Sequence, residues 1–325
     1  MFFGRSCSEL DVIVTIPSGD TCKMRGRFAP SPTGPLHLGN LRTALVSWLQ
    51  VQHSGGRWLV RMEDLDRVTS STAHEADQLA ALASLGMEPD EPVVRQSERF
   101  HLYRDAIATL TRQGRVYECF CTRREIREAA QAPHGELPEG AYPGTCREMS
   151  SARRAELVAE GRTPALRLRT DGERFVIDDL VAGRYEGGVD DVVLQRADGV
   201  PAYNLAVVVD DAAQGITHVT RADDLLSSTP RQRLLQQLLG LHEPTYAHVP
   251  LVLAPDGTRL AKRHGAVTLA DLAARGDLER RERDRVLLGC GGSNDRRGGG
   301  GERDEQGREQ RREGARKEET HGGAG

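Results

Sequence analysis

The sequence predicts an α/β fold organised around a mostly parallel sheet, and three observations carry that expectation. Strand-type and helix-type patterns alternate through residues 25–276. A short strand near residue 26 runs into a turn stiffened by Pro30, Pro32 and Pro35, and a long helical pattern follows at once. The 325 residues, 38% of them hydrophobic, are ample for two domains or one large elaborated one with a buried core.

Gly26–Pro30 reads as the first strand, ending in the turn Ser31-Pro-Thr-Gly-Pro35. A helix is expected over 36–52, with Leu38, Leu41, Leu45, Trp48 and Leu49 on its apolar face. Trp58–Met62 is a second strand leading into Glu63-Asp-Leu-Asp66, and Thr72-Ala-His-Glu75 has the form of a capping box for a helix ending at Gly86. Ser97 is expected to cap a helix that buries Phe100, Tyr103, Ile107 and Leu110 and stops at Gly114. Later strand patterns lie at Ala165–Arg169, Phe175–Ile177, Val192–Gln195, Leu205–Val209, Thr217–Thr220 and Val249–Leu253.

Composition narrows the function classes. Mean hydropathy is −0.50 and no apolar run approaches the roughly eighteen residues of a membrane span, which excludes an integral membrane protein. The stretch Val12–Ile16 is too short for a signal-peptide core, so a cytoplasmic protein is expected. A net charge of −4 and a pI of about 6.2 mean that any polynucleotide partner must meet a local patch. Residues 277–325 hold 12 basic, 12 acidic and 12 glycine residues and no Phe, Tyr or Trp. Such a tail buries too little apolar area to offset its ordering entropy and is expected to be disordered. The same is expected of 1–24, since Met24 reads as a natural start before Arg25.

Two local patterns carry chemistry by themselves. In Arg27-Phe-Ala-Pro-Ser-Pro-Thr-Gly-Pro-Leu-His-Leu-Gly-Asn40, His37 and Gly39 are expected in the first helical turn. Unpaired backbone N–H groups and the helix dipole make an anion site there, with His37 as a further donor and Gly39 permitting close approach of a base or phosphate. Cys119-Phe-Cys121 and Cys146 offer three soft ligands where zinc takes four, so a metal site in a reducing compartment competes with buried free thiols. Only Lys23, Lys262 and Lys317 are lysines against 41 arginines, which makes Lys262 the single lysine of the expected folded body.

The run Arg27–Asn40 resembles the HIGH-type signature of class I aminoacyl-tRNA synthetases in its glutamyl/glutaminyl form. The likeness continues through Arg61-Met-Glu-Asp-Leu-Asp-Arg67, Ala202-Tyr-Asn-Leu-Ala-Val-Val-Val-Asp-Asp211 and Arg259-Leu-Ala-Lys-Arg263, four motifs in order across residues 25–276. The last resembles the KMSKS loop, with Ala261 and Arg263 where the signature usually has Ser. The resemblance implies a Rossmann-like, doubly wound parallel sheet with an inserted zinc-binding, acceptor-type subdomain at about 117–200. It implies His37 and Lys262 as catalytic groups, and ATP contacts from Pro30, His37, Gly39, Asn40 and Lys262. Glutamate would be held by Arg27, Ala29, Ser31, Glu63, Tyr203 and Arg221. Guanidinium forks for the carboxylates and one carboxylate for the ammonium suit that amino acid. A structural zinc would be bound by Cys119, Cys121, Tyr142 and Cys146, with His134 or water as the other fourth ligand.

Full-length glutamyl members continue into an anticodon-binding domain, whereas recognisable sequence here stops near Gly276. That matches the shortened glutamyl-queuosine members. They imply activation of glutamate by ATP and Mg²⁺ without tRNA, then transfer to queuosine in the anticodon of tRNA(Asp), by a monomer. Two rival readings are a truncated enzyme that charges a tRNA 3′ end and a non-catalytic nucleotide- or zinc-binding paralogue.

Overall fold

The computed structural model describes residues 23–130, 142–252 and 268–274. The expected terminal segments lie almost wholly outside them, as do Lys262 and His134.

Strand β1 (Arg25–Phe28) lies between β2 (Arg57–Met62) and β9 (His218–Ala222), and β3 (Val94–Arg95) and β10 (Thr245–Val249) extend the sheet outward. All four pairings in this order, β10-β9-β1-β2-β3, are parallel. Connections run one way from β1 through β2 to β3 and the other way from β9 to β10. The order therefore reverses between β1 and β9, and a crevice opens at the carboxyl ends of those strands. A smaller antiparallel sheet, β4 (Val116–Cys119), β5 (Ala165–Leu168) and β8 (Val193–Gln195), and the hairpin of β6 (Arg174–Asp179) with β7 (Gly183–Gly188) are inserted between the halves.

Helix α1 (Leu38–His53) packs on β1, and its buried face is Leu41, Ala44, Ser47, Gln50 and Val51. Of the expected face, Leu41 is buried and Trp48 packs against the core, whereas Leu38, Leu45 and Leu49 are 41%, 41% and 49% exposed. Close approach shapes the buried face. A Cβ on Gly26 would sit 2.6 Å from Val51 Cγ2, and the Ser47 hydroxyl donates to the Arg27 carbonyl at 3.3 Å while accepting from Trp58 Nε1 at 3.1 Å. At these contact points small side chains let the helix come close to the sheet.

Other expectations are corrected. Leu205–Val209 is not a strand but the centre of α6 (Tyr203–Ala213), buried on all sides. An apolar run of that length has no periodicity to separate a strand from a core helix. The last strand precedes its expected place, ending at Val249 before Pro250, which has no N–H for a ladder. Ser71, not Thr72, caps α2 (Thr72–Ser84) by accepting from His74 N at 3.1 Å. Ser97 lies in a 3₁₀ turn ahead of α3 (Phe100–Arg112) and hydrogen-bonds Asp64. Tyr103, Ile107 and Leu110 are buried as expected, together with Ala106. Helices α4 (Arg123–Ala130), α5 (Ser151–Ala159), α7 (Thr229–Leu239) and α8 (Leu269–Ala274) had no counterpart in the sequence reading.

Candidate active site

The turn after β1 is held from outside by polar partners. Glu63 N donates to Pro30 O at 2.9 Å and Ser71 N to Pro32 O at 3.0 Å, while Gln78 Nε2 donates to Ser31 O and Gly34 O at 3.0 and 2.7 Å. The prolines restrict φ, and the neighbours satisfy the carbonyls.

His37 is the N-cap of α1 rather than a residue of its first turn. Its Nδ1 accepts from Gly39 N at 3.1 Å and Asn40 N at 3.4 Å, and Asn40 Oδ1 accepts from His37 N at 3.3 Å. Two helix-end donors expected to serve an anion thus already have a partner. An accepting Nδ1 puts the ring proton on Nε2. A Cβ on Gly39 would lie 3.0 Å from His37 Cε1, so a side chain there would crowd the capping ring. His37, Gly39 and Asn40 share a crevice with Ala222, Pro250 and Leu251 at the ends of β9 and β10.

Behind the turn lies a buried cluster of charge. Arg27 is 3% exposed and its Nε donates to Asp211 Oδ1 at 3.0 Å; Arg61, fully buried, donates Nη1 to the same oxygen at 2.8 Å and to Gln214 Oε1 at 2.8 Å. Arg61 also pairs with Glu63 Oε1 at 3.7 Å and Asp210 Oδ2 at 3.8 Å. Asp210 is itself held by Gln96, Arg99 and Tyr103 at 2.6–2.8 Å. Burial pushes the Glu63 carboxyl up to about 7 against the pull of Arg61 and Arg27. Ser31, Glu63 and Tyr203 line a cavity of about 650 Å³ that continues to Arg123, Arg167 and Arg196. Tyr203 keeps 37% of its surface on that cavity, although protein surrounds it closely enough for burial to raise its phenol. The same phenol feels Arg221, Glu63 and Arg27, so these expected residues share one neighbourhood with Asp211.

Arg221, on β9, donates Nε to His248 Nε2 at 2.9 Å, Nη1 to Gln232 Oε1 at 2.8 Å and Nη2 to Thr229 Oγ1 at 2.9 Å. The sequence reading missed Asp211, Arg61, His248 and Asp179. A histidine in the strand Thr-Tyr-Ala-His-Val and paired carboxylates closing an apolar run were the available signals.

Next to the insert sheet, Cys119, Cys121 and Cys146 place their sulfurs within 4.8 Å of one another. Tyr142 Oη lies 3.3 Å from Cys119 Sγ and 3.6 Å from Cys121 Sγ, and Cys121 Sγ lies 3.4 Å from Cys146 Sγ. The four expected ligands therefore converge. Burial, then hydrogen bonding with Cys119 and Cys146, pushes the Tyr142 phenol up, so a phenolate there needs a cation beside it. The Arg167 guanidinium stacks 3.7 Å over that ring.

Residues 23–288 match the catalytic domain of class I tRNA synthetases (E and Q). The chain belongs to this family. It is an ATP-dependent ligase of the class I type, with the parallel α/β catalytic fold. The match passes Gly276, where the sequence reading placed the end of recognisable sequence. Over 246 residues the chain is 63% identical to a glutamyl-Q tRNA(Asp) synthetase of Nocardia farcinica, covering 76% of this chain and 78% of that one. A synthetase of the same name from Symbiobacterium thermophilum is 52% identical, with 77% and 81% covered. The solved glutamate tRNA ligase of Elizabethkingia meningosepticum, in complex with its amino acid, superposes with a TM-score of 0.65 at 33% identity over 75% of this chain. The chain spans about half, 52%, of that ligase.

Proposed function

We propose that the chain activates glutamate with ATP and passes the glutamyl group to queuosine in the anticodon of tRNA(Asp). The observation that supports this reading is that Arg27, Glu63 and Arg221 all act on the Tyr203 phenol, and that Tyr203 lines one cavity with Glu63 and Ser31. The two guanidinium groups suit the two carboxylates of glutamate, and Glu63 in its ionised form suits the ammonium; Ala29 and Ser31 form the turn beside them. The ammonium itself favours ionisation of Glu63 and offsets the burial that raises it.

In the activation step an α-carboxylate oxygen attacks the α-phosphorus, a mixed anhydride forms and pyrophosphate leaves. His37 offers Nε2–H to the phosphates, Pro30, Gly39 and Asn40 shape the nucleotide seat, and Lys262 supplies an ammonium to the leaving group. Bound Mg²⁺ would neutralise phosphate charge. The Cys119–Cys121–Tyr142–Cys146 cluster fits zinc: Zn–S bonds of about 2.3 Å give tetrahedral edges near 3.8 Å, close to the separations seen. We assign that metal a structural role in the part of the insert that meets RNA, in a cytoplasmic monomer.

Glutamate-dependent ATP–pyrophosphate exchange without tRNA tests activation; it should run with glutamate, fail with glutamine and aspartate, and vanish in Lys262→Ala. No exchange with any amino acid would overturn the enzyme reading for this site. Glutamylation of native tRNA(Asp) but not of its unmodified transcript, with label in the anticodon fragment, tests transfer. Label on the 3′-terminal adenosine would instead favour 3′ charging.

A further inference from the structure

The geometry around Arg221 points to a positioning pair outside the expected site. His248 is 1% exposed on β10, and its Nδ1 lies 2.5 Å from Asp179 Oδ2 at the end of β6. Arginine only donates, so the 2.9 Å contact from Arg221 Nε requires a lone pair on His248 Nε2. The ring proton must then sit on Nδ1, facing Asp179. Asp179 is fixed in turn: its carboxylate accepts from the backbone N–H of Val181 at 2.9 Å, Ala182 at 2.8 Å and His248 at 3.0 Å. Tyr246 stacks on the ring, Thr229 Oγ1 lies 3.3 Å from Nε2, and the nearby cations are Arg221 and Arg27.

We propose that Asp179 and His248 act together as positioning residues for glutamate binding, holding the imidazole in the one tautomer that can accept from Arg221. Three Arg221 donors are then committed, to His248, Gln232 and Thr229. Among the described contacts one N–H on each terminal nitrogen remains for a carboxylate, as a fixed fork. Burial holds the His248 imidazole below its ordinary range despite the adjacent carboxylate, consistent with a neutral acceptor. The inference rests on Arg221 as a carboxylate ligand.

Substitution can reverse the tautomer without emptying the site. In Asp179→Asn the carboxamide oxygen can keep the backbone N–H groups while its NH₂ opposes Nδ1. The proton then moves to Nε2 and confronts the Arg221 donor, the same tautomer logic as in hydrolase triads. His248→Gln can accept from Arg221 through its oxygen and donate to Asp179 through its amide, whereas His248→Leu can do neither.

The test is tRNA-free pyrophosphate exchange on the full chain, with thermal melts to verify folding. Asp179→Asn and His248→Leu should raise the glutamate KM about tenfold or more, with the ATP KM and kcat within about threefold, and His248→Gln should stay within about threefold throughout. Wild-type glutamate KM in folded Asp179→Asn or His248→Leu would overturn the proposal. So would a His248→Gln as impaired as His248→Leu, which would make the ring a packing element against Tyr246. If Asp179→Asn does not fold, the Gln–Leu contrast at 248 decides. Arg221→Lys separates the two levels: an unchanged glutamate KM in that variant removes the underlying reading of Arg221, whereas a raised one beside unaffected Asp179 and His248 variants removes only the positioning role.

Discussion

Glu63 sits among two arginines and two aspartates, and its burial gives a prediction whose sign can be worked out. Its carboxyl titrates near 7 in the folded chain against an ordinary 4.5, so the folded state holds the proton more tightly. Stability therefore falls as pH rises from about 4.5 to about 7, and the whole loss is present above that window. Glu63→Gln removes the titrating group. The ligand-free variant should match wild type in thermal melts at pH 4.5 and exceed it at pH 8, by on the order of 2–3 kcal/mol. Its glutamate KM should nonetheless rise roughly tenfold or more, because an amide cannot balance the substrate ammonium. A variant no more stable than wild type at pH 8 would contradict the raised carboxyl. Gly39→Ala should separate stability from activity in the same direction. Alanine favours a helix, but its Cβ would press on the His37 ring at 3.0 Å, so exchange should slow about tenfold while the melt holds or rises. The sequence displayed Arg27, Glu63 and His37 because each stands within a dense motif. Asp179 and His248 were illegible because their partners are 69 residues apart and nothing local marks the pair.

Elements were readable wherever propensity and burial agree, and misread where packing overrides pattern. The strand–turn–helix at 25–53 and the strand at 57–62 emerged at nearly their observed limits. The buried face of α1 emerged only in part, through Leu41 and Trp48, because hydrophobicity counts leucines while the sheet also selects residues that allow close approach. The contact between Gly26 and Val51 measures this. Gly26→Ala places a methyl group 2.6 Å from Val51 Cγ2 and should destabilise the chain by about 1–3 kcal/mol in urea unfolding. Adding Val51→Ala should recover part of that loss, giving a coupling energy above about 0.5 kcal/mol; strict additivity would mean that the two elements adjust independently. Helix α6 taught the complementary lesson. Its apolar run ends in Asp210 and Asp211, whose burial makes sense only beside Arg61, Arg99 and Arg27, contributed by β2, the start of α3 and β1. Polar partners brought from distant elements are invisible to a local period.

At the scale of the molecule, the activation site proposed above belongs to the reversal point of the parallel sheet, while the thiol cluster belongs to the small antiparallel sheet inserted between the halves. Cys119 closes β4 and Cys121 follows it, and Tyr142 and Cys146 approach from the turn beyond. This separation predicts divided consequences of metal loss. Purified chain should carry about one zinc per molecule, and Cys146→Ser or a strong chelator should remove it and lower the melting temperature by several degrees. Exchange with glutamate and ATP should persist within a few-fold, because Arg27, Glu63, His37 and Arg221 are held by β1, β2, α1 and β9 rather than by the cluster. Glutamylation of tRNA should fall much further. Cys121 and Ile126 border the same cavity as Tyr203, so a disturbed cluster would distort a wall of the cavity to which we assign the incoming nucleoside. If metal-free protein remains folded yet loses exchange and transfer to the same extent, the metal acts on activation itself. The insert would then be part of the catalytic centre, not a neighbour that presents RNA to it.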